Sequence, residues 1–520
     1  MARQSFLRFL LQLNGGKNYK IFITVQPLDS PNLHLASWTD FNARRLRTVH
    51  VIPLCRSSNR HSNRQQVSQR RSHDLLRKDK YTTITIYHRQ PKSVFKFPAK
   101  VMSSRTFKPT VAIIGAGPAG LTLARLLHLQ NIPFTVFEAE TSVNSRSQGG
   151  TLDLRDKTGL AAITACQLYD EFLKLARFDG EALKIVDKDM KVWLKVDGSD
   201  GGKRRKNARP EIDRVALRAL LLESIPGEKI MWGKKLKSIA GEADDLKLRF
   251  EDREEVGGFD LIVGADGAWS KTRNFLSDEM PTYSGVCGID QNISDAERRF
   301  PDICALVDRG SIFAFGDGKS LIAQQIGDGS IKIAEYGVRD VSWAKEHDAA
   351  KMEPGAIKEL LGKEYNDWSP DCRKMLESVD EEGAVTRALY MLPIAFRWEN
   401  KPGITVIGDA AHVMVPFAGE GANLSMADAM HLARWIQKST ERAKLRENLV
   451  GFENEMFARM EPVQKISYGN MKDMFFTPGA PRATIDRYVT RYMKHMAGPM
   501  VGTLAGVGIY TYYWVLKLIN

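Results

Sequence analysis

The chain has 520 residues, 75 basic and 62 acidic, with a formal net charge of +13. Residues 1–101 hold 19 of the basic and 4 of the acidic side chains, leaving 56 and 58 for everything that follows. A near-neutral body excludes a broad basic face for nucleic acid, and its length exceeds a single hydrophobic core, so two domains interleaved in the chain are expected.

The basic leader comes first. It shows no sustained helical or strand periodicity, and residues 56–71 are rich in Arg and His. This suits either a disordered segment or a mitochondrial-type presequence. Met102 opens MSSRTFKPTVAIIGAG, a short polar lead straight into a strand. That favours residues 1–105 as a dispensable leader over a presequence, because the Arg-rich part is not clearly amphipathic.

Residues 111–120 read VAIIGAGPAG: an apolar strand, then Gly115, Gly117, Ala119 and Gly120, then an apolar helix over 121–129. Glycines at those three places permit a tight turn, close approach of backbone N–H groups to a pyrophosphate, and close helix-to-strand packing. A second apolar strand, 134–137, ends in Glu138, placed to accept the ribose hydroxyls of an adenosine half. By itself this segment does not separate NAD from FAD.

Residues 197–209, DGSDGGKRRKNAR, read as a flexible polar loop. Residues 260–267, DLIVGADG, are a strand running into Asp266-Gly267. From 279 to 400 alternating strands, such as 320–323 and 331–336, suit a sheet roofing a substrate. Residues 404–423 then bring a strand to Gly408-Asp409, followed by Pro416, Gly419, Gly421, Ala422 and Asn423. Asp409 can hold a ribityl hydroxyl of a flavin. The helix start after it can face the pyrimidine end of the isoalloxazine, where negative charge gathers on reduction.

The tail, residues 496–516, is an uncharged run between Lys494 and Lys517, with Tyr510, Tyr512, Tyr513 and Trp514 toward one end. As a helix it would span roughly 30 Å, enough for a membrane anchor; a helix packed across both domains would also be apolar on its buried face. Both readings stand. The cysteines, Cys55, Cys166, Cys287, Cys304 and Cys372, form no CxxC pair, as expected of reduced thiols in an intracellular enzyme, cytoplasmic or membrane-anchored. No metal site is expected. His412 reads as a local hydrogen-bonding group rather than a catalyst.

Together and in this order, the three Gly-containing segments resemble the class A flavin monooxygenases across residues 110–481. The likeness narrows to the tetracycline-inactivating monooxygenases and their fungal relatives through RSQGGTLDL at 146–154, PEIDRVALRALLL at 210–222 and GDAAHVMVPFAGEG at 408–421. The resemblance implies an α/β fold: a Rossmann-like FAD-binding domain with a parallel sheet (106–278, returning at 401–445), interleaved with an α+β substrate domain on a mostly antiparallel sheet (279–400). A helical bridging segment (446–495) and the C-terminal helix (496–516) follow.

The resemblance further implies that Asp153 and Arg214 contact FAD, that Arg146 meets the nicotinamide cofactor, and that Phe417, Asn470 and Met474 line the substrate cavity. Arg218, one turn beyond Arg214, reads equally well as a solvated or paired surface residue. The polar residues that the family sets on its substrate sheet are not found: Asp290 stands where a Gln is expected, Ser311 where an Arg is, and Lys332 where a His is. The cofactor half of the likeness is thus the stronger, and tetracycline is not implied.

The expected activity is hydroxylation of an aromatic or polycyclic small molecule by a monomeric enzyme. NADPH or NADH would be the transient reductant, O2 the co-substrate, and a hydroperoxide at flavin C4a the oxidant. No residue is assigned a catalytic role, because the hard chemistry is the flavin's. Two other classes are open: a flavin reductase or dehydrogenase on the same fold, which isotopically labelled O2 distinguishes, and a membrane-tethered FAD-binding protein without turnover.

Overall fold

A computed structural model describes residues 5–13, 17–25, 107–143, 149–178, 182–196, 209–497 and 499–519. The chain divides into two units, 1–103 and 104–520. In the first, where the sequence suggested no periodic element, Ser5–Leu13 and Lys17–Val25 pair antiparallel, Ser5 opposite Val25.

The second unit is built on two sheets. Five parallel strands lie in the order Ile404–Val406, Leu261–Gly264, Val111–Ile114, Phe134–Phe137, Ile230–Met231. Every residue of the 111–114 and 261–264 strands is buried, as continuous apolar runs with both faces covered require. The helices Pro118–Leu129 and Gly421–Gln437 pack against each other and complete this core.

The larger sheet has seven strands in the order Val385–Met391, Thr282–Ile293, Ile331–Val338, Lys319–Gln325, Ser311–Gly316, Leu183–Asp187, Val192–Val196. It is antiparallel except where Leu183–Asp187 runs parallel to Ser311–Gly316. Residues 183–196, read from sequence as part of the FAD domain, therefore belong to the seven-stranded sheet. One face of that sheet packs Ile289, Ile293, Ile331 and Ile333 onto flanking helices; the other carries Phe315 and Tyr336 toward Phe475. The short pair Thr151–Asp153 and Glu211–Asp213 is a separate antiparallel ribbon.

The 34-residue helix Arg442–Phe475 joins the two halves. Leu445, Leu449 and Phe452 enter the core of the parallel sheet, and Met471, Met474 and Phe475 enter the cluster beneath the larger one. The tail does not form the span considered for 496–516. It is two helices, Ile485–Ala497 and Pro499–Ile519, packed together, with Thr490 3.2 Å from where a side chain on Gly506 would begin. Tyr513 is buried and donates its hydroxyl to the Trp193 carbonyl at 3.0 Å, and Lys517 pairs with Asp486 at 3.0 Å. Among the described residues no helix is long and apolar enough to cross a membrane.

Candidate active site

The three Gly-containing turns leave the same end of the parallel sheet, because Gly264 stands in register with both Ile114 and Val406. Gly115, at φ +104°, rests on the second turn: a Cβ there would lie 2.4 Å from the Ala265 carbonyl oxygen. Gly408 brings the third turn onto the first, 3.3 Å from the Ala119 methyl by the same measure. At Gly120 a Cβ would meet the Gly115 carbonyl at 2.0 Å. Gly117, Gly267 and Gly421 differ, since a Cβ on any of them would meet open space.

Glu138 is buried at the tip of the second strand. Its Oε2 accepts from the Ala116 N–H at 2.5 Å and its Oε1 from the Glu140 N–H at 2.9 Å, which ties the carboxylate to the first turn. Asp266 braces its own turn, accepting from the Ser270 hydroxyl at 2.6 Å and the N–H groups of Lys271 and Thr272 at 2.8 and 3.1 Å. Asp409 begins a short helix with its side chain exposed.

Behind Asp409, Asp428 accepts from the Gly408 N–H at 3.0 Å, and its carboxylate lies 2.6 Å from His412 Nε2 and 2.9 Å from Arg459 Nη2. Burial opposes a charged His412, but Asp428 outweighs it and holds the imidazole above its ordinary pKa. His412 thus bonds to a carboxylate 16 residues away.

Pro416 and Gly419 are exposed on the turn before the Gly421–Gln437 helix, and Gly421 and Ala422 are half-buried at its start. Asn423 is buried: its Oδ1 accepts from the Arg155 and Gly159 N–H groups at 2.9 and 3.2 Å, and its Nδ2 donates to the Asp153 carbonyl at 2.7 Å. No side chain caps the N-terminus of this helix or of Pro118–Leu129. Their first-turn N–H groups retain the positive end of each dipole.

Asp153 and Arg214 lie where the ribbon meets this turn. Burial pushes the Asp153 carboxyl above its ordinary value against the pull of Arg155 and Arg209. Arg214 is open to solvent yet deep among protein atoms, as a side chain lining a recess is, within electrostatic reach of Asp409, Arg387 and Asp290. Arg146 lies outside the described residues.

Arg218 is paired, as one of its readings had it, but not at the surface. It is buried, donating to Glu140 at 2.7 Å and to the Val143 carbonyl at 3.2 Å. Sequence reading also missed Arg155, whose guanidinium pairs with buried Glu420 and donates to the Ala418 carbonyl at 3.2 Å. No local spacing signals a pair whose members are 265 residues apart.

Phe417, Asn470, Met474 and Phe475 do come together. Asn470 donates to the Phe417 carbonyl at 2.8 Å and accepts from Arg491 at 2.7 Å, so both ends of its amide are engaged. Met474 is 1 % exposed within a packed cluster, and the Phe417 and Phe475 rings meet at a tilt of 53° with centroids 5.0 Å apart. Of the three departures on the sheet, Asp290 and Lys332 stand side by side, 3.1 Å from Oδ2 to Nζ, whereas Ser311 lies on a strand two further across.

This arrangement fits FAD. Three glycines leave bare space, two helix N-termini have no side-chain cap, and Glu138 and Asp409 add carboxylates at the same end of the sheet, a donor and acceptor set suited to phosphates and sugar hydroxyls. Residues 108–305 and 393–449 match the family described as FAD binding domain. The monooxygenase penA of Penicillium thymicola is 33% identical over 430 residues, covering 72% of this chain and 98% of that protein. The monooxygenase asqM of Emericella nidulans is 32% identical over 426 residues, covering 69% and 94%. Among solved structures, the R204Q variant of HpxO of Klebsiella pneumoniae with FAD shares the fold at a TM-score of 0.62 and 17% identity, over 76% of this chain and 99% of that one. A salicylate hydroxylase shares it at 0.60 and 19%, over 75% and 95%. With its three cofactor turns assembled as this fold requires, the chain belongs to the class A FAD-dependent monooxygenases.

Proposed function

We propose that this flavin monooxygenase takes its electrons from NADPH or NADH and hydroxylates an aromatic or polycyclic small molecule. The observation that carries the reading is the juxtaposition of the cofactor turns with an aromatic-lined sheet face, Phe315, Phe417 and Phe475 forming one packed cluster with Tyr336. When bound, FAD supplies the activation of O2 and the transfer of one oxygen atom.

The chain's own part is to bind, orient and exclude water. The N–H groups of the Pro118–Leu129 helix and Gly117 would receive the pyrophosphate, Glu138 and Asp409 would take sugar and ribityl hydroxyls, and the Gly421–Gln437 N-terminus would stabilise negative charge at the pyrimidine end of the ring. The larger sheet and the end of the Arg442–Phe475 helix would supply the apolar surroundings that exclude water.

The test is turnover of the FAD-loaded protein with NADPH, isotopically labelled O2 and a panel of hydroxylated aromatic and polycyclic compounds. One labelled atom in an organic product is expected. NADPH oxidation with no label in any organic product contradicts the reading.

A further inference from the structure

The inner face of the seven-stranded sheet carries a charged group to which the cofactor gives no task. Asp290, 9% exposed, accepts from the Tyr336 hydroxyl at 2.9 Å through Oδ1; its Oδ2 accepts from Arg387 Nε at 2.7 Å and lies 3.1 Å from Lys332 Nζ. Strand register makes the group. Gly288 stands opposite Tyr336 on one neighbouring strand and opposite Arg387 on the other, and Asp290 follows two residues on, hence on the same face.

Three features show a group shaped to receive a ligand. Its charge is unbalanced, since one carboxylate holds two cations where an ion pair needs one. Its cations are reachable: the Arg387 side chain is 52% exposed and Lys332 20%, and the bond from Arg387 to Asp290 uses Nε, leaving the forked end of the guanidinium directed elsewhere. Its place is between the domains. Lys332 Nζ lies 3.8 Å from where a side chain on Gly149 would begin, and Arg214 is within electrostatic reach of Asp290, Arg387 and Asp409 together. Tyr336 also belongs to the aromatic cluster of Phe315 and Phe475, so the charged group borders the aromatic part of the same sheet face.

We propose that Lys332 and Arg387 bind an acidic oxygen of the substrate, such as a carboxylate, phenolate or enolate, and that Asp290 and Tyr336 are positioning residues for the two cations. The inference rests on the reading that this sheet face receives the aromatic substrate. Two like charges held close repel, and Asp290 offsets only part of that; an anionic oxygen completes the balance through charge-assisted bonds. A neutral isostere leaves the surplus cation desolvated and unpaired.

The experiment titrates FAD-loaded protein with 2-naphthoate and, separately, with its neutral carboxamide, reading perturbation of the flavin absorbance. The acid is expected to bind about tenfold or more tightly than the amide. Lys332→Met and Arg387→Met are each expected to remove about tenfold of the acid's affinity while changing the amide's little, and Lys332→Arg to restore most of it. Flavin content of each variant reports that it has folded. Equal affinity for acid and amide, no saturable change with the acid, or an undiminished preference in the double variant overturns the inference. Failure of the monooxygenase reading is distinguishable, because label would then be missing from product while the preference for the acid persisted.

Discussion

Asp428 and Gly408 are joined by a 3.0 Å hydrogen bond from the Gly408 N–H, and the oxygen that accepts it is also 2.6 Å from His412 Nε2. The backbone that presents Asp409 is thus fixed from behind by a buried carboxylate shared with Arg459. Asp428→Asn would leave the Arg459 guanidinium, the buried His412 ring and the Gly408 N–H without their carboxylate. The expected loss is about 3–5 kcal/mol of stability, with weaker flavin retention, read by urea unfolding and by bound-flavin absorbance.

The same pair sets a pH window. His412 is held above its ordinary pKa, so its contribution is complete below about 6.5 and is lost as pH rises through the folded value. Asp428, although burial raises its pKa, is held below its ordinary value by His412 and Arg459; its contribution is present above about 3.9 and lost as pH falls through the folded value. Unfolding free energy measured across pH should fall on both sides, and His412→Gln should remove the alkaline fall.

Glu211 acts in the opposite sense. Burial pushes its carboxyl up to about 8, against Arg177 and the Thr151 hydroxyl. The folded protein keeps that proton while the unfolded chain releases it near the ordinary value, so stability declines from about pH 4.5 to about pH 8. Glu211→Gln should therefore stabilise by about 1–3 kcal/mol at pH 8 and change little at pH 4, as thermal melts at both pH values would show.

Two kinds of glycine should separate by experiment. Gly115→Ala and Gly120→Ala place a methyl against backbone carbonyls, the former also at positive φ, and should cost about 2–4 kcal/mol in the protein without flavin. Gly117→Ala, whose methyl meets open space, should leave that stability unchanged and reduce FAD affinity. Equal melting temperatures for Gly115→Ala and the unsubstituted protein would contradict the packing argument.

What the sequence made legible was local. The turn at Gly115 to Gly120 declares itself because strand, glycines and helix are contiguous, and Glu138 because one short strand sets its distance. Contacts made across the chain left no such trace. Arg387 reaches Asp290 over 97 residues, and Leu183–Asp187 takes its place beside Ser311–Gly316 only once both sheets exist. In the tail, hydropathy reported an uncharged run but not that a helix ends at Ala497 and another begins at Pro499, nor that Tyr513 would be tied to Trp193.

The common level at which Ile114, Gly264 and Val406 end has a consequence in time as well as in space. The three segments that hold one cofactor are separated by about as many residues as a whole small domain contains. During synthesis, the first two turns emerge long before the third, and no nascent chain shorter than the strand at Ile404–Val406 carries the complete cradle. Flavin capture therefore waits on the strand at Ile404–Val406, however early the first two turns have folded.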